Sequence, residues 1–482
     1  MIIIGGGVVG SAVARELSRF RLRIAVLEKE SDVCTQTSGR NTGMLHAGFL
    51  YKTGSLKAVC AVEGNKEFDT VAAELDVPFQ RTGKLIVGFT PEHRRALEAF
   101  KARGEANGVE GLEIIGRSRM DELDPSAGGN FAMWCPASGI LDPFLYTIAL
   151  AENAVKNGAA YFLNCAFLGE TVENGLHILH TGRGDLSARW VVNCAGLASA
   201  WVSERLGIPG YALRLVKGEY FVLDKKAGRF AAIPVYPAPN PDNTFGVHAT
   251  PTVDGNVLVG PDSYTARDSQ DYENTSSSLD GLAADGAKMF RHLEREYYIR
   301  QFAGIRPKRV DPDTGAVLDF LLECRDEVPG VVNLVGIESP GLTSALPLAR
   351  RVVDLIRARE ELAPNPGFDP VHRFPARFAG ADEQTRARLV SEDPNYGEIV
   401  CRCENVTRAE ILAAIHNPLG VRTLNGIKVR TRASMGRCQG GYCQMRLTDL
   451  LCRELGLKPE ELELGPRDSR LFTGAVKGEG AR

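Results

Sequence analysis

No apolar run in the 482-residue chain approaches the roughly 18 residues that a membrane-crossing helix requires. The start, Met1-Ile2-Ile3-Ile4, has no basic leader and runs straight into glycines. It reads as a first core strand rather than a signal peptide, so a reducing, cytoplasmic setting is expected. Excess charge of either sign is lacking as well. The chain has 57 Lys and Arg against 60 Asp and Glu, a net charge of −3, and a pI near 6.3, which gives no drive toward nucleic acid or anionic membranes. Internal repeats and low-complexity segments are missing. With 44% hydrophobic and 24% charged residues the composition is that of a globular protein. The length suggests two or three domains with cores that need no disulfides. Of the 11 cysteines, six are scattered (Cys34, Cys60, Cys135, Cys165, Cys194, Cys324), four are closely spaced near the C-terminus, and Cys452 trails them. In a reducing compartment the clustered four need another explanation than disulfide bonding.

What is present begins at once. An apolar strand, Ile2-Ile3-Ile4, leads into Gly5-Gly6-Gly7-Val8-Val9-Gly10 and then into the helical pattern Ser11 to Leu17. In that context Gly5 permits a tight turn, Gly7 lets backbone approach a pyrophosphate, and Gly10 lets helix and strand pack closely, while the helix N-terminus offers amides and partial positive charge. A second strand, Ile24-Ala25-Val26-Leu27, ends at Glu28, about 20 residues on, where a carboxylate can accept ribose hydroxyls. Together these form a dinucleotide fingerprint that does not by itself separate FAD from NAD. Thr37 to Gly48 is then dense in small and hydroxyl residues, suited to backbone lying against a flat cofactor.

At this point the chain resembles the D-amino-acid oxidase-like superfamily of FAD-dependent oxidoreductases, in its L-2-hydroxyglutarate oxidase and glycerol-3-phosphate dehydrogenase branches. The resemblance rests on Ser38-Gly39-Arg40-Asn41 through His46-Ala47-Gly48 and Gly54-Ser55-Leu56-Lys57. Four further motifs and one closing motif follow in family order: Lys217-Gly218-Glu219-Tyr220, Gly246-Val247-His248, Val259-Gly260-Pro261, Gly304-Ile305-Arg306-Pro307, and Gly336-Ile337-Glu338-Ser339-Pro340-Gly341-Leu342-Thr343. It covers about residues 1 to 360. It implies FAD as cofactor, with Gly5, Gly7, Gly10, Glu28, Ser38, Arg40, Asn41, Thr42, Met44, Ala195, Gly196, Gly341, Leu342 and Thr343 as its binding residues.

The implied architecture is an α/β Rossmann-like FAD-binding domain with an α+β substrate domain and a small, mostly helical C-terminal iron–sulfur domain. The expected segments are 1–78, 141–207 and 301–362 for the discontinuous FAD-binding domain, and 79–140 and 208–300 for the substrate domain. Within them, helices are expected around Glu92 to Arg103 and from Leu141 to Asn157. A proline-rich linker beginning Ala363-Pro364-Asn365-Pro366 covers 363–395. The iron–sulfur domain covers 396–455 and a tail covers 456–482.

The clustered cysteines are Cys401, Cys403, Cys438 and Cys443, spaced C-x-C-x34-C-x4-C. Four thiolates can bind a [2Fe-2S] cluster or zinc, although the C-x-C pair lies outside the usual zinc spacing. Gly440 and Gly441 can turn amides toward cluster sulfurs, and Lys428, Arg430, Arg432 and Arg437 can offset cluster charge or form a solvated basic face. Thr407-Arg408-Ala409-Glu410 carries a capping box, so a helix is expected just past the first cysteine pair. This tail resembles the bacterioferritin-associated-ferredoxin-like [2Fe-2S] domain appended to anaerobic glycerol-3-phosphate dehydrogenase.

Oxidising a secondary alcohol needs a hydride acceptor, a base for the hydroxyl proton and a cation for the anionic group. Arg306 is the candidate cation because its planar fork binds carboxylate or phosphate bidentately. His46 and His248 are the candidate bases, and the helix opened by Gly341-Leu342-Thr343 offers amides to negative charge. The resulting expectation is a dehydrogenase for glycerol 3-phosphate or a 2-hydroxy acid such as L-2-hydroxyglutarate. Its electrons would pass through the cluster to a second flavoprotein or a quinone-linked subunit, and only that partner would place the chain at the inner face of a membrane. Two readings stay open beside it: a sarcosine- or proline-type amine dehydrogenase subunit, and an electron-transfer or scaffold subunit with a vestigial flavin site.

Overall fold

The computed structural model describes residues 1–239 and 245–474. Parts of the expected 208–300 segment and of the expected 456–482 tail therefore lie outside the described residues.

The glycine motif sits in a six-stranded sheet ordered Leu321–Glu323, Val331–Val335, Val191–Asn193, Ile2–Ile4, Ala25–Leu27, Ala160–Phe162. All neighbours are parallel except the antiparallel edge strand Leu321–Glu323. Such a sheet must be covered on both faces, which is why its central strands are buried throughout rather than alternating, with Asn193 and Asn333 satisfying each other inside. Helices Val8–Leu17, Leu56–Leu75, Pro143–Lys156 and Gly341–Arg357 pack on one another beside it. They bury Ile3, Val13, Leu17, Tyr146, Leu348 and Val352 in one core. The helix expected from Leu141 begins two residues later. Asp142 is its cap, accepting from the Phe144 and Leu145 amides, and Pro143 at the first helical position keeps residue 141 outside. Gly139–Leu141 instead pairs with Met44–Leu45 and Phe79–Gln80.

The second body is a nine-stranded sheet. Tyr298–Val310 pairs antiparallel along nearly the whole of Ala212–Leu223, from Ala212 opposite Val310 to Leu223 opposite Tyr298. The expected boundary at 300 falls inside this strand, and no turn signal marks the real break, because one continuous ladder carries the chain from 298 to 310. Alternate side chains of a strand share a face, so Gly304, Arg306 and Lys308 all point to the same side, into a cavity between the two bodies.

The third body holds helices Arg408–Ile415, Leu424–Thr431 and Gln444–Leu455 with the short pair Ile399–Cys401 and Val406–Thr407. Its core is Val400, Ile411, Ile427, Leu447 and Leu451. Thr407 and Glu410 form the reciprocal cap read from the sequence. Residues 363–395 are not a free tether. Asn365 donates to the Ser18 carbonyl, the Asp369 amide to Asn157 and His372 bonds Glu152, while Glu383–Glu392 is helical. The first and third bodies meet through the buried Arg430–Asp32 pair and through Val33 and Cys34 packed on Leu419 and Val421.

Candidate functional site

The turn after Ile2–Ile4 is built as only glycine allows. Gly5 has φ +109°, and a Cβ at Gly10 would lie 1.9 Å from the Gly5 carbonyl oxygen. Helix Val8–Leu17 starts at Gly7 with no side-chain cap, so its first amides face the cavity apart from Val8, which donates to Ser38 Oγ at 3.0 Å. Glu28 is 8% exposed at the end of the second strand. Its Oε2 accepts from the Gly6 amide at 2.7 Å and its Oε1 from the Glu30 amide at 2.9 Å. Burial pushes its carboxyl up, and these two amides oppose that. The carboxylate thus staples the turn and still has lone pairs for a ligand.

One cavity of about 460 Å³ runs from this turn to the large sheet. Gly5, Gly7, Glu28, Ser38, Arg40, Asn41, Thr42, Met44, Ala195, Gly196, Gly341 and Leu342 line it. Gly10 and Thr343 stand behind the lining. Gly10 packs on the turn, while Thr343 Oγ1 accepts from the His46 amide at 3.0 Å. Asn41 folds its own loop, donating to the Thr37 and Ser38 carbonyls and accepting from Gly43. Arg40 ties this loop to the large sheet by donating to the Ala303 carbonyl, with its guanidinium 4.1 Å from the Tyr272 ring. A long groove that starts at bare helix amides, passes a buried carboxylate and is walled by backbone and small side chains fits a dinucleotide cofactor.

At the far end the same cavity is lined by His46, His248, Arg306, Lys308, Tyr51, Tyr220, Tyr236 and Glu338. His46 Nε2 lies 3.3 Å from Ser339 Oγ. His248 Nδ1 lies 3.1 Å from Thr250 Oγ1, and its ring stacks on Tyr236 with centroids 3.8 Å apart and planes at 11°. Burial, then the charge of Lys84, holds both imidazoles well below the ordinary 6.5, so both are neutral and able to accept a proton. Arg306 has no ion-pair partner among the described residues. Burial pushes the Glu338 carboxyl up, but Lys57 (2.8 Å), Arg306 and Lys308 outweigh it and leave it below its ordinary range. The sequence reading missed Lys308, Tyr51, Tyr220 and Tyr236 as site residues. Lys308 was open to discovery, two positions past Arg306 on a strand. Tyr236 comes from a separate strand with no local motif.

The four clustered cysteines also converge. Cys401 ends strand Ile399–Cys401, and Cys443 immediately precedes helix Gln444–Leu455. Cys401 lies beside Cys443, and Cys403 beside Cys438. The first pair is buried and the second exposed. The Tyr442 and Gly440 amides lower the Cys438 thiol, and Ser434 Oγ lies 3.4 Å from the Cys443 sulfur. Among the described residues no three His, Cys, Asp or Glu side chains gather around a single-ion position. Four thiols brought together are the donor set that a [2Fe-2S] centre would take. The basic run divides by role. Arg430 points away, to Asp32 at 2.6 and 3.1 Å, and Arg432 is held by Asp254 and Glu404. Burial, then the charges of Arg300 and Arg432, lower the Lys428 ammonium to about 8, with the Cys443 thiol opposing them.

Comparison with known proteins finds a family for each of two segments of the chain. The family model described as FAD dependent oxidoreductase matches residues 1–355, and that described as BFD-like [2Fe-2S] binding domain matches 399–453. A glycerol 3-phosphate dehydrogenase of Caloramator mitchellensis is 36% identical over 99% of this chain and 98% of its own. An L-2-hydroxyglutarate dehydrogenase of Indibacter alkaliphilus is 28% identical, over 73% of this chain and 98% of its own. Among solved structures, the dithionite-reduced L-α-glycerophosphate oxidase of Mycoplasma pneumoniae with FAD bound superposes with a TM-score of 0.72 at 27% identity, covering 78% of this chain and 98% of that one. No helix among the described residues is long and apolar enough to cross a membrane.

Proposed function

The chain belongs to the FAD-dependent oxidoreductases and carries a BFD-like [2Fe-2S] domain, and from that premise we propose that it is a glycerol 3-phosphate dehydrogenase that passes electrons to a partner protein. The observation that carries the reading is one cavity holding the glycine turn and Glu28 at one end, and two neutral histidines with Arg306 and Lys308 at the other. A relative whose match spans both domains is a glycerol 3-phosphate dehydrogenase. The relatives named for L-2-hydroxyglutarate make a 2-hydroxy acid the second candidate.

The turn Gly5-Gly7-Gly10 and the helix amides behind it would hold the pyrophosphate, and Glu28 would take the ribose. The segments Ser38–Met44, Ala195–Gly196 and Gly341–Leu342 would hold the rest of the cofactor, with Thr343 fixing the backbone of His46 from behind. Bound FAD supplies the hydride acceptor, and a [2Fe-2S] centre on Cys401, Cys403, Cys438 and Cys443 supplies a one-electron acceptor. Arg306 grips the phosphate with two parallel hydrogen bonds and Lys308, two residues along the same face, adds a point charge. His248 is the preferred base. With Nδ1 engaged by Thr250 and the ring clamped on Tyr236, Nε2 is the atom that takes the hydroxyl proton, and a neutral ring can accept it. His46, oriented by Ser339, holds the substrate hydroxyl or carbinol side chain in register.

Electrons leave at the exposed Cys403–Cys438 edge. It is bordered by Arg402 and Arg437 and by Tyr442 and Met445, which are 43% and 57% exposed. That cationic face suits a second flavoprotein or a quinone-linked subunit in the cytoplasm. The test is anaerobic addition of glycerol 3-phosphate, L-2-hydroxyglutarate and an N-methyl amino acid to the yellow holoprotein. Glycerol 3-phosphate should bleach it fastest. Reduction by the amino acid alone would overturn the reading.

A further inference from the structure

Lys84 has no part in the chemistry so far, yet it is the most unusual charged residue near the cavity. It starts strand Lys84–Gly88, is 0% exposed, and its Nζ has no hydrogen-bond partner. The cation lies instead against aromatic faces, 4.1 Å from the centroid of Tyr236 and 5.2 Å from that of Phe49. Tyr236 reaches it because Val235–Pro237 pairs in parallel with Lys84–Gly88. The ring of Tyr236 is also stacked on that of His248. An ammonium without a hydrogen bond in a dry interior is costly, and rings recover only part of that. A packed apolar side chain would serve stability better. Burial brings Lys84 down to about 8, with the Cys135 thiol opposite it pulling the other way, so it remains mostly charged at neutral pH.

We propose that Lys84 is a positioning residue of the oxidation site. Its ammonium clamps the Tyr236 ring and through it the His248 ring, keeps both histidines in the proton-accepting form, and adds to the field that draws an anionic substrate past Arg306. The groups that face it or its neighbours are Cys135 from strand Phe131–Cys135, Tyr236, His248, His46 and Tyr51 from the 44–51 segment, and Arg306 from strand Tyr298–Val310. No carboxylate acts on Lys84 itself; Glu338, which faces Tyr51, is paired with Lys57 at 2.8 Å. Lys84 touches neither the substrate nor the cofactor in this scheme, so its influence must show in the histidines.

The role as a clamp for an anionic alcohol rests on the proposed function, but the imidazole titration can be read without any substrate. The experiment uses FAD-loaded, full-length Lys84→Met, with Lys84→Gln as the second variant should Met disturb the fold, and ring-labelled histidine. The His46 and His248 titrations should move upward by about one unit when the neighbouring like charge is removed. The acid limb of kcat/KM should move with them, with flavin content unchanged and KM rising more than kcat falls. Titrations and pH profiles that superimpose on the wild type in a folded, flavin-loaded variant would overturn the proposal. Should no anionic alcohol reduce the wild-type protein, the substrate assignment fails while the titrations still decide the role of Lys84.

Discussion

Replacing Arg430 with Met tests how the iron–sulfur domain is held to the flavin domain. The Arg430 and Asp32 side chains are each 5% exposed and meet through two charge-assisted bonds of 2.6 and 3.1 Å. Glu152 lies 3.7 Å from the same guanidinium. Removing the cation leaves two buried carboxylates, Asp32 and Glu152, without it. Breaking such a pair from one side costs about 3–5 kcal/mol, and at 1.4 kcal/mol per decade that is roughly a hundredfold to a few thousandfold in the docking equilibrium. Arg432 to Asp254 remains, so the domain should open more often rather than detach. Because a multidomain protein does not unfold in two states, native-state proteolysis within 363–395 is a better measure than a melting curve. Cleavage should speed up by at least a hundredfold. Asp32→Asn in the Arg430→Met background should restore part of the loss by removing one stranded charge. Cleavage within twofold of the wild type in Arg430→Met would refute the reasoning and shift the docking to the Leu419 and Val421 contacts.

Three further outcomes are expected. Gly10→Ala places a methyl 1.9 Å from the Gly5 carbonyl oxygen; the strain of about 1–3 kcal/mol falls on the turn, so FAD retention after gel filtration should drop at least several-fold. Arg306→Lys keeps the charge but loses the fork; it should cost about 1.5–3 kcal/mol in substrate binding, read as KM, with flavin affinity unchanged. His46 and His248 are neutral when folded, whereas the unfolded chain takes up protons from 6.5 downward. Their contribution to stability is therefore complete above that pH and declines as pH falls below it. Native-state proteolysis, corrected for the protease's own pH dependence, should speed up less between about pH 7.5 and about pH 5.5 in a His46→Gln, His248→Gln variant than in the wild type.

The parts of the molecule that showed in the sequence are those whose cause is local. Gly5, Gly7 and Gly10 are dictated by φ and close approach within a few residues, and Thr407 with Glu410 satisfies two helix amides three positions apart. The four cysteines carry chemistry that few other functions explain. Contacts made by distant pairing did not show. Strand Tyr298–Val310 reads as a boundary because its partner, Ala212–Leu223, lies far back in the chain. Arg430 looks like cluster chemistry beside Cys438, yet its partner Asp32 is 398 residues away. Lys84 and Tyr236 meet only through sheet register, and no pattern around either announces it.

Substrate electrons should cross from the flavin end of the cavity to the Cys401, Cys403, Cys438 and Cys443 centre before they leave. The most direct measurement is anaerobic mixing of the holoprotein with glycerol 3-phosphate, following flavin absorbance and the paramagnetic signal of the reduced cluster together, in the wild type and in Cys438→Ser, Cys443→Ser. Wild-type protein should bleach and then develop the cluster signal, while the variant should bleach at the same rate and show no signal. A wild-type cluster that stays oxidised after the flavin has bleached would contradict this order of transfer.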